Sequence, residues 1–173
     1  MTRIGPVCAL VTAGLLVAGG AFAVAQTPGQ GAGAMAGRPQ DPTPPFPYSE
    51  EAVPFANPAD GTRLEGTLTL PAGAGPFPAA LLLSGAGAQD RDYTALGHRF
   101  FLVLADHLTR RGIAVLRVDD RGVGRSGGDS SQMTLADAVG DVRAGLARLA
   151  GHARIDATRV GLIAHSEGGR VAP

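Results

Sequence analysis

Three short apolar runs constrain the fold more than any other feature of the chain. They are Ala79 to Leu83, Ile113 to Val118 and Arg159 to Ala164, each with little alternation between apolar and polar residues. A strand with one face in water alternates with a period of two, whereas an unbroken apolar run marks a strand covered on both faces. Two helical patterns lie between the runs. Phe100, Leu104 and Leu108 fall four apart, supported by Phe101 and Val103, and Arg110-Arg111-Gly112 supplies a stop signal. Leu135, Val139, Val142, Leu146 and Leu149 form a second stripe that opens with Thr134 as N-cap, has Asp137 three residues on, and closes at Gly151. Strand, helix, strand, helix, strand predicts an α/β fold, an open and mostly parallel sheet with right-handed crossovers and helices on both faces.

Upstream, Glu51 to Phe55 and Arg63 to Leu70 flank Asn57-Pro58-Ala59-Asp60-Gly61, which predicts a leading antiparallel hairpin. Residues 26–47 are rich in Gly, Ala, Pro and Gln and are expected to form a disordered linker, since they have little apolar surface to offset ordering entropy. Residues 1–25 resemble a secretory signal: Arg3, an apolar region from Val7 to Val17, then two small-x-small sites, Ala21-Phe22-Ala23 and Ala23-Val24-Ala25. Cleavage is expected before Gln26. An uncleaved anchor over Ile4 to Ala25 is the alternative, and either reading exports the domain at residues 48–173, periplasmic or secreted. After cleavage no stable membrane association is expected.

Composition removes several chemistries. Net charge is zero, which argues against a nucleic-acid partner, because such binding needs a basic face to displace counterions. All fifteen basic residues are arginine, so no Walker lysine, Schiff base or Ser-Lys dyad is present. The one cysteine, Cys8, lies within the signal, which excludes a disulfide framework or thiolate metal site from the mature chain. No metal-ligand spacing occurs elsewhere, and no cofactor is expected.

The third run leads straight into Ala164-His165-Ser166-Glu167-Gly168-Gly169. This small-x-Ser-x-Gly arrangement fits a nucleophile elbow, a strand-to-helix turn so tight that the residues two before and two after the serine must be small. Ser166 is the candidate nucleophile, and Gly169 is expected to give further room for helix–strand packing. An acyl-transfer site also needs two backbone N–H groups aimed at the developing oxyanion. Glu167, just after the serine, is one candidate donor. Ala86, in the small-residue loop Ser84-Gly85-Ala86-Gly87 after the first parallel strand, is the other.

Three segments taken together resemble the bacterial α/β-hydrolases of the EstD-type carboxylesterase group. They are Leu81 to Asp92 (LLLSGAGAQDRD), Asp119 to Ser126 (DDRGVGRS) and His165 to Gly169 (HSEGG), and the likeness runs from about Glu50 to Pro173. Ala164 departs from the glycine common in the family, without steric penalty. The resemblance implies hydrolysis of small-molecule carboxylic esters through a Ser166 acyl-enzyme, with an acid and then a histidine later in the chain. Only Arg170 to Pro173 follow the elbow, so these 173 residues are expected to be the N-terminal part of the domain, inactive alone, with the elbow strand left as a bare apolar edge. A serine peptidase of the same fold and a non-catalytic secreted binding or pseudo-enzyme domain remain as alternatives.

Other features carry competing readings. Gly122-Val123-Gly124-Arg125-Ser126-Gly127 matches the dinucleotide-binding pattern, but its third glycine does not open a helix. Asp119 or Asp120 is expected to pair with Arg121 and brace that loop. Asp90 and Asp92 are expected to cap the following helix, and His107 and His152 to be solvated. His98 is the visible histidine nearest the active-site loop, while elbow geometry turns His165 away from its neighbour Ser166.

Overall fold

The computed structural model describes residues 38–172. The signal reading and most of the linker reading fall outside the described residues. Within them, β1 (Ser49–Ala56) and β2 (Arg63–Leu70) pair antiparallel along their whole length, from Ser49 opposite Leu70 to Ala56 opposite Arg63. The turn closes through its own side chains: Asn57 Oδ1 accepts from the Ala59 amide and Asp60 Oδ1 from the Thr62 amide, both at 2.9 Å.

Next come β3 (Phe77–Leu83), a small ribbon of β4 (Thr94–Ala95) and β5 (His98–Arg99), α1 (Phe100–Thr109) and β6 (Ala114–Val118). They are followed by α2 (Leu135–Ala150), β7 (Ile155–Ala164) and α3 (Gly168–Val171). The main sheet has the order β1-β2-β6-β3-β7, with β6, β3 and β7 mutually parallel. The crossover from β3 through α1 goes one way to β6, and the crossover through α2 returns past β3 to β7. Loops at the carboxyl ends of β3 and β7 therefore face each other where the winding direction reverses, the place where open α/β sheets hold ligands.

The unbroken apolar runs have a two-sided explanation. Ala79, Leu81 and Leu83 of β3 pack with Ala114 and Leu116 of β6 against Val142 and Leu149 of α2. The intervening Leu82 and Val115 pack against Phe101 and Ala105 of α1 on the other face. Each fully buried leucine contributes roughly 1.5–3 kcal/mol relative to exposure.

Several boundaries and faces differ from expectation. The buried side of α1 is Phe101, Ala105 and Thr109, one residue round from the expected stripe, and Phe100 is 48% exposed. The N-cap of α2 is as expected, with Thr134 and Asp137 exchanging a full capping box, but Leu135 at its start is 61% exposed. β7 begins at Ile155, not Arg159. Its first residues bulge, so that Phe77 pairs with Ile155 but Ala79 with Val160, and polar Asp156 to Arg159 disguise the strand. Residues 38–47, expected as linker, are pinned to the domain: Arg38 donates to the Leu96 carbonyl, and Asp41 pairs with Arg99 at 3.4 Å. Their charged and aromatic residues make these contacts, and averaging over the Gly/Pro-rich stretch hides them.

Candidate active site

The chain turns from β7 into α3 through a left-handed Ser166, φ 52°. A non-glycine residue there is held against its own preference, as befits a sharp turn that lifts one side chain clear. The surroundings over-determine the turn. The His165 amide donates to the Leu83 carbonyl at 3.0 Å, which ties the elbow to the end of β3. A Cβ at Gly168 would come within 2.9 Å of the Leu83 carbonyl oxygen and closer still to that of Ser84, so no side chain fits. Among the described residues a Cβ at Gly169 would meet nothing within 4 Å, so the expectation that this glycine gives packing room is corrected: the clearance there comes from Gly168.

The loop after β3 lies against the elbow. A Cβ on Gly85 would stand 3.2 Å from Ser166 Cβ and 2.7 Å from the Tyr93 hydroxyl. Tyr93, itself left-handed at φ 51°, shares a hydrogen bond of 3.0 Å with His165 Nδ1. Sequence reading missed Tyr93, which carries no signal beyond its place four residues past Gln89. The Ala86 carbonyl accepts from Gln89 Nε2 at 2.9 Å. Glu167 is the N-cap residue of α3. Among the described residues, the N–H groups of Ala86 and Glu167 find no protein acceptor.

No described histidine touches the Ser166 hydroxyl. His98 meets Gln40 at 3.1 Å and stacks on Phe100, and His107 meets Arg111. His152, expected to be solvated, is mostly buried, with Nε2 3.1 Å from Glu51 and Nδ1 accepting from the Arg154 amide. The correction has a simple cause: β1 runs beside the α2–β7 loop and covers that ring.

The acidic residues also have other partners than expected. Neither Asp119 nor Asp120 pairs with Arg121, which forks onto Asp141 at 2.6 and 2.8 Å and reaches Asp60 at 2.5 Å. Asp119 takes Arg91 in a two-point grip at 3.1 and 2.6 Å and accepts from the Arg125 amide. Burial pushes the Asp119 carboxyl up, but these donors outweigh it and hold it below its ordinary range. Among the described residues no cation pairs with Asp120. Its carboxylate accepts from the Gln89 amide at 2.9 Å and from the Ser84 hydroxyl at 3.1 Å. Burial, with the nearby charges of Asp119 and Asp141, raises Asp120 to about 6. Asp90 and Asp92 do not cap α1, whose first residue has no side-chain cap. Asp90 folds back onto the amides of Asp92 and Thr94, and Asp92 pairs with Arg117 and Arg99.

The glycine-rich loop is no phosphate cradle. The Gly122 amide donates to the Gly127 carbonyl, Ser126 is bonded to Asp119 and Glu65, and α2 begins well beyond the last glycine. Among the described residues, no group of three or more His, Cys, Asp or Glu side chains is arranged for a metal. A cavity of about 440 Å³ opens behind the elbow, between Gly85, Glu167 and Gly168 on one side and Met133, Leu135 and Val142 of the α2 region on the other. Ser166 is not in its wall.

This fold recurs in solved proteins. The α/β hydrolase GrgF from a Penicillium species superposes with a TM-score of 0.60 at 22% identity, over 71% of this chain and 39% of that one. The chain has the α/β-hydrolase fold. Esterase Pf2001 of Pyrococcus furiosus matches with a TM-score of 0.56 at 25% identity, over 72% of this chain and 43% of the esterase. In sequence, the chain is 32% identical over 110 residues to esterase EstD of Thermotoga maritima, covering 64% of the chain and 26% of EstD. It is 39% identical over 66 residues to esterase FrsA of Escherichia coli, covering 38% of the chain and 14% of FrsA. The family profile described as "Serine aminopeptidase, S33" matches residues 97–173. The chain thus spans about a quarter or less of the length of these two curated esterases.

Proposed function

We propose that the full-length protein is an exported serine hydrolase of small-molecule carboxylic esters that works through an acyl-enzyme on Ser166. The observation that carries this reading is the left-handed Ser166, faced by Gly85 of the neighbouring loop and followed two residues on by a glycine that admits no side chain. In the proposed reaction Ser166 Oγ attacks the ester carbonyl carbon and its proton passes to a histidine base. The oxyanion is met by backbone N–H groups, for which Ala86 and Glu167 are the assigned donors. The carbon–oxygen bond then breaks and the alcohol leaves with the proton. Water repeats the sequence on the acyl-enzyme, releasing the acid and restoring the serine. Acid and histidine follow the nucleophile in the family's chain order.

Likeness to two proteins named esterases supports ester substrates. The aminopeptidase description of the matching profile favours a second reading, peptide-bond cleavage at the same serine. The test uses the full-length protein. A fluorophosphonate should label Ser166, Ser166→Ala should abolish labelling and turnover, and short p-nitrophenyl esters should outrun matched aminoacyl p-nitroanilides. Undiminished labelling of Ser166→Ala would refute the nucleophile, while preference for the anilides would turn the assignment to a peptidase. Export is tested separately: the mature N-terminus in a secreting host should lie near Gln26, and Met1 retained in membranes would favour the anchor.

A further inference from the structure

We propose that Asp120 is the positioning residue of the oxyanion loop, clamping both ends of Ser84–Gln89 so that Gly85 is held against Ser166. The inference rests on the ester-hydrolase reading above and adds to it a residue outside nucleophile, base and oxyanion donors. The loop leaves β3 at Leu83. Its first residue donates its hydroxyl to the Asp120 carboxylate at 3.1 Å, and its last donates its backbone N–H to the same oxygen at 2.9 Å. In return the Gln89 carbonyl accepts the Asp120 N–H at 3.0 Å. Inside the loop, Gln89 Nε2 holds the Ala86 carbonyl, which fixes the peptide plane next to the assigned donor.

Two features point to function more than to stability. Buried carboxylates nearby all have arginines: Asp119 with Arg91, Asp141 with Arg121, and Glu65 with Arg63 and Arg125. Among the described residues half-buried Asp120 has none, so its partial desolvation is a net cost that a neutral side chain would avoid. The groups it holds are also both donors, an O–H and an N–H. Both donors meet one carboxylate oxygen and the Ser84 hydroxyl also lies 3.4 Å from the other, so an amide of the same shape could keep both only by turning its NH₂ towards that hydroxyl. Because Gly85 lies one residue from Ser84, slack at this clamp moves the wall beside Ser166, and displacements near 1 Å at a reacting centre cost on the order of 100-fold in rate.

The experiment compares wild type, Asp120→Asn, Asp120→Ala and Ser84→Ala in the full-length protein, with Ser166→Ala as the control on the underlying reading. Fluorophosphonate titration counts competent sites, so that kcat is expressed per labelled Ser166. An alkyl boronic acid then reports the oxyanion region, since adding the serine oxygen to boron makes a tetrahedral anion. Asp120→Ala should lower kcat per competent site about 10- to 100-fold with KM within about threefold, and the boronate Ki should rise in parallel with the loss in kcat/KM. Asp120→Asn should fall between it and wild type. Unchanged kcat per site and unchanged Ki in Asp120→Ala would overturn the proposal, as would a loss arising wholly from fewer competent sites. Turnover that survives in Ser166→Ala would instead overturn the hydrolase reading, whatever Asp120 does.

Discussion

Gly168 and Gly169 are adjacent and chemically identical, yet substitution by alanine should have opposite effects. At Gly168 the new methyl meets two backbone oxygens, those of Leu83 and Ser84, with Leu83 Cβ at 3.1 Å. Backbone at the end of a central strand cannot swing aside as a side chain can. Restoring ordinary contact would drive the Ser84 carbonyl back by roughly 1 Å. Overpacking of this kind costs about 1–3 kcal/mol, and the rigidity of both obstacles puts Gly168→Ala at the upper end. That corresponds to a fall of roughly 6–12 °C in Tm for a domain of 150–250 residues. The displaced Ser84 also starts the oxyanion loop, so turnover should drop about 100-fold. At Gly169 the methyl meets nothing within 4 Å among the described residues, and in a helix alanine gains about 0.5–1 kcal/mol over glycine. Gly169→Ala should therefore melt at or slightly above wild type with full activity. Thermal denaturation and ester hydrolysis of both variants in the full-length protein check the pair. Equal tolerance at the two positions would refute the argument that the elbow presses on the end of β3.

Three further predictions follow from the charged and capping residues. The folded Asp120 carboxyl sits at about 6 against 3.8 for the ordinary group, so its contribution to stability is fully present below 3.8 and lost as pH rises through about 6. Wild-type Tm should carry such a decline, worth at most on the order of 3 kcal/mol, that Asp120→Asn lacks; identical pH profiles in the two proteins would contradict it. Arg121→Met should destabilise by about 3–5 kcal/mol in denaturant melts, because Asp141 and Asp60 lose the cation whose side chain is only 7% exposed. Thr134→Ala, which removes one half of the α2 capping box, should cost about 1 kcal/mol in the same assay and leave kcat unchanged.

Sequence alone revealed the parts of this fold that depend on local period. The runs through Leu81 and Leu116 gave buried strands because both sheet faces are covered, and Thr134 with Asp137 gave the start of α2 because a capping box spans only four residues. The face of α1 was misjudged by one residue because Phe100 is as apolar as Phe101. What separates them is the Asp92 carbonyl, which accepts the Phe101 amide and sets the helix rotation from outside the pattern. Small residues around Ser166 were legible as a motif. The partners of the charged residues were not, since Arg121 reaches 61 positions back to Asp60 and Arg91 reaches 28 positions forward to Asp119. No spacing rule predicts pairs that only the sheet order brings together.

The Asp119-Asp120 pair shows why nearest neighbours in sequence mislead. At the end of a strand, consecutive side chains leave on opposite faces. Asp119 goes to the face where Arg91 and Thr67 meet, and there it also closes the glycine-rich loop through the Arg125 amide. Asp120 goes to the other side and meets Ser84 and Gln89. Arg121, a further residue on, has already turned towards Asp60 and Asp141 and fastens the β1–β2 turn to α2. Three adjacent charges thus hold three different segments. Of the three, Asp120 alone touches the loop beside Ser166 and alone lacks an opposite charge. That combination separates a side chain retained for a site from one retained for the fold, and it gives Asp120→Asn its two-sided signature: a flatter stability profile with slower turnover.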